Sequence, residues 1–237
     1  MKRQTFVYFV CSPSPRVGST IVARLLGDYF LSQRRAFVGF DTDAHEQPFA
    51  NSFPGETRVT DLSVIQGQIS LFDRLLVHDE IPKVVDVWNR AFPRFFSIVR
   101  EVGFFEEARR LSIEPVILYV VDDTPECLET ARQLKRQWPD LSMTIVNNEG
   151  AFPLGLDAHD ILAKYPSERS FLIPSLDPAV RRVIDKSGFS FSRFLLAPPS
   201  DMSIVVRTAL RSWLSRIFAQ FKSFEFRIAL DDTNYLG

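Results

Sequence analysis

The chain has little of what announces several large classes of protein. Two cysteines, Cys11 and Cys127, in 237 residues exclude a disulfide-stapled scaffold and fit a reducing compartment. No apolar run approaches the roughly 20 residues of a membrane-spanning helix. The opening MKRQTFVYFVCSPSP starts basic, but its apolar stretch of about six residues runs into prolines, too short for a signal-peptide core. The expectation is a cytoplasmic protein. Neither charge sign is in excess: 28 Lys and Arg against 29 Asp and Glu leave −1, so no basic field points to nucleic acid. His45, His78 and His159 are scattered and lack metal-ligand spacing. No internal repeat, low-complexity tract or G-x-S-x-G elbow occurs.

What is present is a core-forming composition, 46% hydrophobic with 22 phenylalanines, and a repeated strand-helix rhythm. TFVYFVC is apolar, aromatic and β-branched, as in a strand buried on both faces. A helix follows at once, with Ile21, Leu25, Leu26 and Tyr29 at helical spacing. RAFVGFDTD, PKVVDVW, EPVILYVVDD, SMTIVNN and SFLIPSL read as further strands. RFFSIVREVGFFEEARRL reads as one helix, and TPECLETARQLKRQWP as another with Thr124 as N-cap before Pro125. The pattern predicts a doubly wound, mostly parallel α/β sheet flanked by helices over 1–199. LAPPSD then reads as a linker to a long C-terminal helix within 200–237. Cys11, ending a strand, and Cys127, in a helix, read as packing residues.

Between the first strand and its helix the chain reads CSPSPRVGSTIVARLL. In a phosphate loop, N–H groups of a glycine turn and a helix N-terminus surround the anion. A lysine adds charge, and a Ser or Thr hydroxyl holds Mg²⁺. Gly18 sits where the main chain must come close, and Ser19 and Thr20 open the helix. Ser19 occupies the lysine position, and Pro13 and Pro15 remove N–H donors. Arg16 is a substitute cation at a different place in the loop. Asp41, Asp43 and Asp86 stand at strand ends, where open α/β sheets bind ligands and where helix caps are equally common. Asn147 and Asn148 end another strand and read equally as a turn pair.

This layout resembles the ParA/MinD-type P-loop ATPases, whose loop reads K-G-G-V-G-K-[ST]. Val17, Gly18 and Thr20 match; Ser14 stands at the signature lysine and Ser19 at the second one. GFDTDAHEQ is similar to the family's second-strand motif, which implies that Asp41 or Asp43 orders the attacking water. KVVDVW resembles the strand carrying the Mg²⁺-associated aspartate, here Asp86, with the usual D-T-P-P replaced by Asp86, Val87, Trp88 and Asn89. TIVNN resembles the strand whose asparagine meets adenine, which implies Asn147 or Asn148. FLIPSLDPAVRRVIDKSGFSF resembles the last strand and the loop that closes over the base, so the likeness spans 4–195. It implies ATP or ADP with Mg²⁺, phosphates held by Ser14, Arg16, Val17, Gly18, Ser19 and Thr20, and metal held by Thr20 and Asp86. It also implies nucleotide-linked association with a protein partner or a second copy. Loss of a donor of the lysine's kind, about 3–4 kcal/mol in a transition state, implies hydrolysis slowed about 10²–10³-fold.

PRVGSTIVARLL is also similar to the 5′-phosphosulfate loop of PAPS-dependent sulfotransferases, where no lysine is expected at Ser19. Asp122 and Asp123 stand where that family carries a basic element for the 3′-phosphate, and acid there repels the ligand. A third reading is a non-binding scaffold whose loop is plugged by Arg16 or occluded by its prolines. In the C-terminal segment Leu210, Trp213, Ile217, Phe221, Phe224 and Ile228 form one stripe. Arg207, Arg211, Arg216, Lys222 and Arg227 interleave with it, and such a helix lies on anionic membranes, as in MinD-type proteins. Flanking Val206, Leu214, Phe218 and Phe226 broaden the apolar face and favour docking on the α/β body or in a homodimer.

Overall fold

The computed structural model describes residues 4–151, 161–165, 169–186 and 188–234, with the backbone alone for 229–234; His159 lies outside the described residues. Seven strands form one sheet: β1 (Thr5–Cys11), β2 (Val38–Asp41), β3 (Thr57–Val59), β4 (Lys83–Val87), β5 (Ile113–Val120), β6 (Ser142–Asn148) and β7 (Ser170–Ile173). Their order is β3-β2-β4-β1-β5-β6-β7, and every neighbouring pair is parallel. The doubly wound fold expected from the strand-helix rhythm is therefore the fold observed.

Alternation along β1 shows why both faces need cover. Val7, Phe9 and Cys11 face a core beneath α3 (Ile65–Leu75), α4 (Phe92–Glu101), α5 (Phe104–Arg110) and α6 (Pro125–Gln137). Tyr8 and Val10 face the other core, beneath α1 (Ser19–Ser32), α7 (Pro178–Ile184), α8 (Phe191–Leu196) and α9 (Ile204–Asn234). A short α2 (Pro48–Ser52) follows β2 and adds Phe49 to that second core. The phenylalanines are spent inside: Phe9 alone meets the rings of Phe95, Phe104 and Phe105.

Helices α2, α3, α7 and α8 are additions to the sequence reading, and two further elements differ from it. The helix expected over RFFSIVREVGFFEEARRL is two helices, because Gly103 turns left-handed at φ 61°, ends α4 and starts α5. The strand β3 was not expected; it has three residues at the sheet edge, with Arg58 and Val59 exposed, so no alternation could reveal it. Thr124 does cap α6, its side chain accepting from the Cys127 N–H at 3.2 Å.

Helix α9 lies on the β6–β7 side of the sheet. All six stripe residues, from Leu210 to Ile228, are buried in the second core, whereas Phe226 is 65% exposed. Trp213 Nε1 donates to the Pro174 carbonyl at 2.6 Å. Gln220 accepts from the Leu172 N–H and donates to the Leu172 carbonyl, closing the free edge of β7 as a strand would. Among the described residues no helix is long and apolar enough to cross a membrane. On α1, buried Asp28 accepts from Ser190 Oγ and from the N–H groups of Phe191 and Ser192, capping α8 from a neighbouring helix.

Candidate functional site

Parallel pairing brings the carboxyl ends of the central strands level. Val10 of β1 pairs with Asp86 of β4, and Asp41 of β2 pairs with Asp86 from the other side. The β1–α1 loop rises directly above them. Gly18 caps α1 at φ 87°, a left-handed conformation that L side chains rarely adopt. Its main-chain turn leaves the N–H groups of Val17, Gly18, Ser19 and Thr20 without an acceptor among the described residues. Arg16 is exposed, sits at φ 60° and forms no hydrogen bond or ion pair with a described residue, so it does not plug the loop.

Side chains from three directions hold this loop. Ser12 Oγ accepts from the Ser14 N–H at 3.2 Å. The nearby Ser14 hydroxyl favours the charge on the Asp122 carboxylate, which accepts from the Thr124 N–H and hydroxyl. Burial opposes the charge on Asp122, but these bonds outweigh it and hold its carboxyl below the usual range. From β6, Asn148 Nδ2 donates to the Val17 carbonyl at 3.0 Å. A Cβ on Gly18 would lie 2.2 Å from that same nitrogen, so glycine is needed for space as well as for conformation. Sequence reasoning gave Asn148 a base to meet, yet the structure seats its amide on the loop; Asn147 is buried beside it on β6.

Below the loop lie the three aspartates. Asp86 is buried, its Oδ1 has no hydrogen-bond partner, and the nearby Thr20 hydroxyl favours the charged form of its carboxyl group. Burial first, then the nearby Asp41 and Asp43, push this carboxyl up to about 8 against the partial relief given by Thr20. Asp41 is spoken for: Oδ1 accepts from the Asp43 N–H, and Oδ2 from Phe49 and Ala50 at 2.8 and 3.0 Å. It therefore anchors the start of α2, and burial raises its carboxyl too despite those bonds. Asp43 Oδ1 accepts from His45 and Glu46, while Oδ2 has no partner among the described residues. Trp88 borders the group; its N–H donates to Thr42 Oγ1, and its ring lies 5.3 Å from the Arg90 guanidinium and edge-on to His45.

The donor set can be tested against Mg²⁺. Among the described residues no three His, Cys, Asp or Glu side chains gather as a cage. Mg²⁺ does not need one, since it keeps waters and phosphate oxygens and takes one or two protein ligands. Thr20 Oγ1 and the unpartnered Asp86 Oδ1 fit that habit. Ser12, Asp122 and Trp88 were missed as parts of the site. Only the Asp122–Asp123 pair left a trace in the sequence, as acid at the end of β5.

No protein-family model matches the chain, and no curated protein matches it. Among solved structures it is similar to a nucleotide-binding protein from Archaeoglobus fulgidus in complex with ADP, with cobalt found in it. The TM-score is 0.50 at 16% identity, over 75% of this chain and 84% of that one. What the two share is a fold, a parallel sheet flanked by helices.

Proposed function

We propose that the chain binds a nucleotide as its Mg²⁺ complex over the β1–α1 loop, hydrolyses it weakly or not at all, and acts through nucleotide-linked association, in the manner of ParA/MinD-type proteins. The observation that carries this reading is the Thr20–Asp86 pair, a buried carboxyl with an unpartnered oxygen beside a helix-opening hydroxyl. The unpartnered N–H groups of Val17 to Thr20 support it, as does the likeness of the sheet to that of a protein solved with ADP.

In this reading Gly18 and the amides around it hold phosphate, with Ser14 and Ser19 lining the loop and Arg16 reaching in from solvent. A bound Mg²⁺ would neutralise charge on the β- and γ-phosphates. Thr20 and Asp86 would hold it. Asp43 Oδ2 is the carboxylate atom left to orient water, since Asp41 is committed to main chain. Asn148 braces the turn, and Asn147 and Asn148 mark the side on which a base would lie. Slow chemistry follows from Ser19, which brings no charge to the γ-phosphate. The partner is a second copy or another protein.

Equilibrium dialysis with ATP, ADP, GTP and 3′,5′-ADP, each with Mg²⁺, tests the reading. Saturable binding of ATP or ADP, weakened about tenfold or more by Thr20→Val, is the expected result. Absence of binding at about 1 mM would leave only the inert scaffold. A preference for 3′,5′-ADP would transfer the site to the sulfotransferase-like class.

A further inference from the structure

The turn after β4 carries a cation to which the site has so far given no part. Strand β4 ends at Val87, and Trp88 and Arg90 follow it, the latter four residues beyond Asp86. Thr42 fixes this turn to the end of β2. Its N–H and its hydroxyl both donate to the Asp86 carbonyl at 3.1 Å, and its oxygen accepts from the Trp88 N–H at 2.8 Å. The half-buried Trp88 ring therefore stands beside the aspartates, its centroid 6.0 Å from that of His45, whose N–H donates to Asp43 Oδ1. Over this ring lies the Arg90 guanidinium, 5.3 Å from the centroid. Arg90 is exposed and makes no hydrogen bond or ion pair with a described residue. A guanidinium on an exposed indole face is held weakly, and it carries five donors for any stronger acceptor.

We infer, resting on the proposed nucleotide site, that Arg90 is the cation for the nucleotide's terminal phosphate, lying on Trp88 until that phosphate arrives and then donating to its oxygens. Loop amides cradle the inner phosphates, whereas a lysine at the position of Ser19 would reach the outer ones. The outermost oxygens are thus the ones left without a cationic side chain. The turn after β4 extends from the strand end that bears Asp86, where Thr20 and Asp86 would hold the Mg²⁺ that bridges the same oxygens. Forked, charge-assisted bonds to phosphate outweigh a stack on indole. The exchange is therefore favourable only for a nucleotide that carries the outermost group. ATP draws Arg90 in, and ADP leaves it on the ring.

Dialysis of the full chain against Mg-ATP and Mg-ADP, with tryptophan emission read in parallel, tests this. Arg90→Gln weakens ATP binding about tenfold or more, the loss of one charge-assisted bond, and leaves ADP binding within about twofold of wild type. Retained ADP binding also shows that the variant is folded. Mg-ATP changes the emission of the wild type, Mg-ADP does not, and Trp88→Phe removes the change. Equal loss of both nucleotides in Arg90→Gln, or loss of neither, overturns the inference while the nucleotide reading stands. So does an ATP response that Trp88→Phe leaves unaltered. Wild-type protein that binds neither nucleotide overturns both.

Discussion

Asp86→Asn should make the ligand-free protein more stable, and increasingly so as pH rises. The carboxyl of Asp86 lies at about 8 in the folded chain against 3.8 for an unperturbed aspartate. Between those values the folded state holds a proton that the unfolded chain has released, so stability falls as pH rises. The contribution is fully present below about pH 4, and it is lost progressively up to about pH 8. Each pH unit costs about 1.4 kcal/mol, which gives about 2 kcal/mol at pH 5 and about 4 kcal/mol at pH 7. Asparagine is neutral throughout, nearly isosteric, and keeps an acceptor oxygen for the Thr20 hydroxyl, so the substitution recovers that cost. Urea unfolding of both proteins at pH 5, 6, 7 and 8 in a chelating buffer measures it. A stability difference that stays flat across this range, or a variant less stable at pH 7, would show that Asp86 is not a buried, proton-bearing carboxyl.

Gly18→Ala should cost about 2–3 kcal/mol in urea unfolding, combining left-handed strain with the clash against Asn148; a cost under about 0.5 kcal/mol would refute the close approach. Ser19→Lys restores the missing charge and should raise ATP turnover about 10²-fold over wild type in a phosphate-release assay; unchanged turnover would mean that the lysine is not what limits the site. Asp28→Ala strips the cap from α8 and should lower stability by about 3 kcal/mol, read as a fall in urea midpoint. ATP should bind in Mg²⁺ and fail to bind in EDTA, because Asp41, Asp43 and Asp122 surround the loop; equal affinity in both, by dialysis, contradicts that electrostatic account.

The sequence revealed the strands whose residues are buried on both faces, because such runs carry their signal locally: β1, β5 and β6 fall where the apolar runs lie. It could not reveal β3, whose exposed edge residues have no pattern to read, nor the break at Gly103 inside an otherwise continuous helical period. At the site, the gathering of Gly18, Thr20, Asp43 and Asp86 was legible because strand ends in a parallel sheet converge. The partners of those residues were not. Asp41 uses one oxygen eight and nine residues downstream, Asn148 reaches back 131 residues to Val17, and Ser14 acts on Asp122 across the sheet. Such pairings depend on sheet order, which no local window contains.

The missing lysine and the raised carboxyl of Asp86 are two views of one electrostatic fact. A lysine in place of Ser19, one residue before Thr20, would put a positive charge near Asp86 and favour its ionised form. Instead the groups acting on Asp86 are two more carboxyls and a single hydroxyl, so a proton supplies the neutralisation that a side chain does not. The loop, for its part, is braced by Ser12, Asn148 and Asp122 rather than by its own cation. A site built this way is organised before any ligand arrives but is acidic at its floor. In the proposed reading an anion would gain entry with a cation of its own, and that cation would take the place of the proton on Asp86.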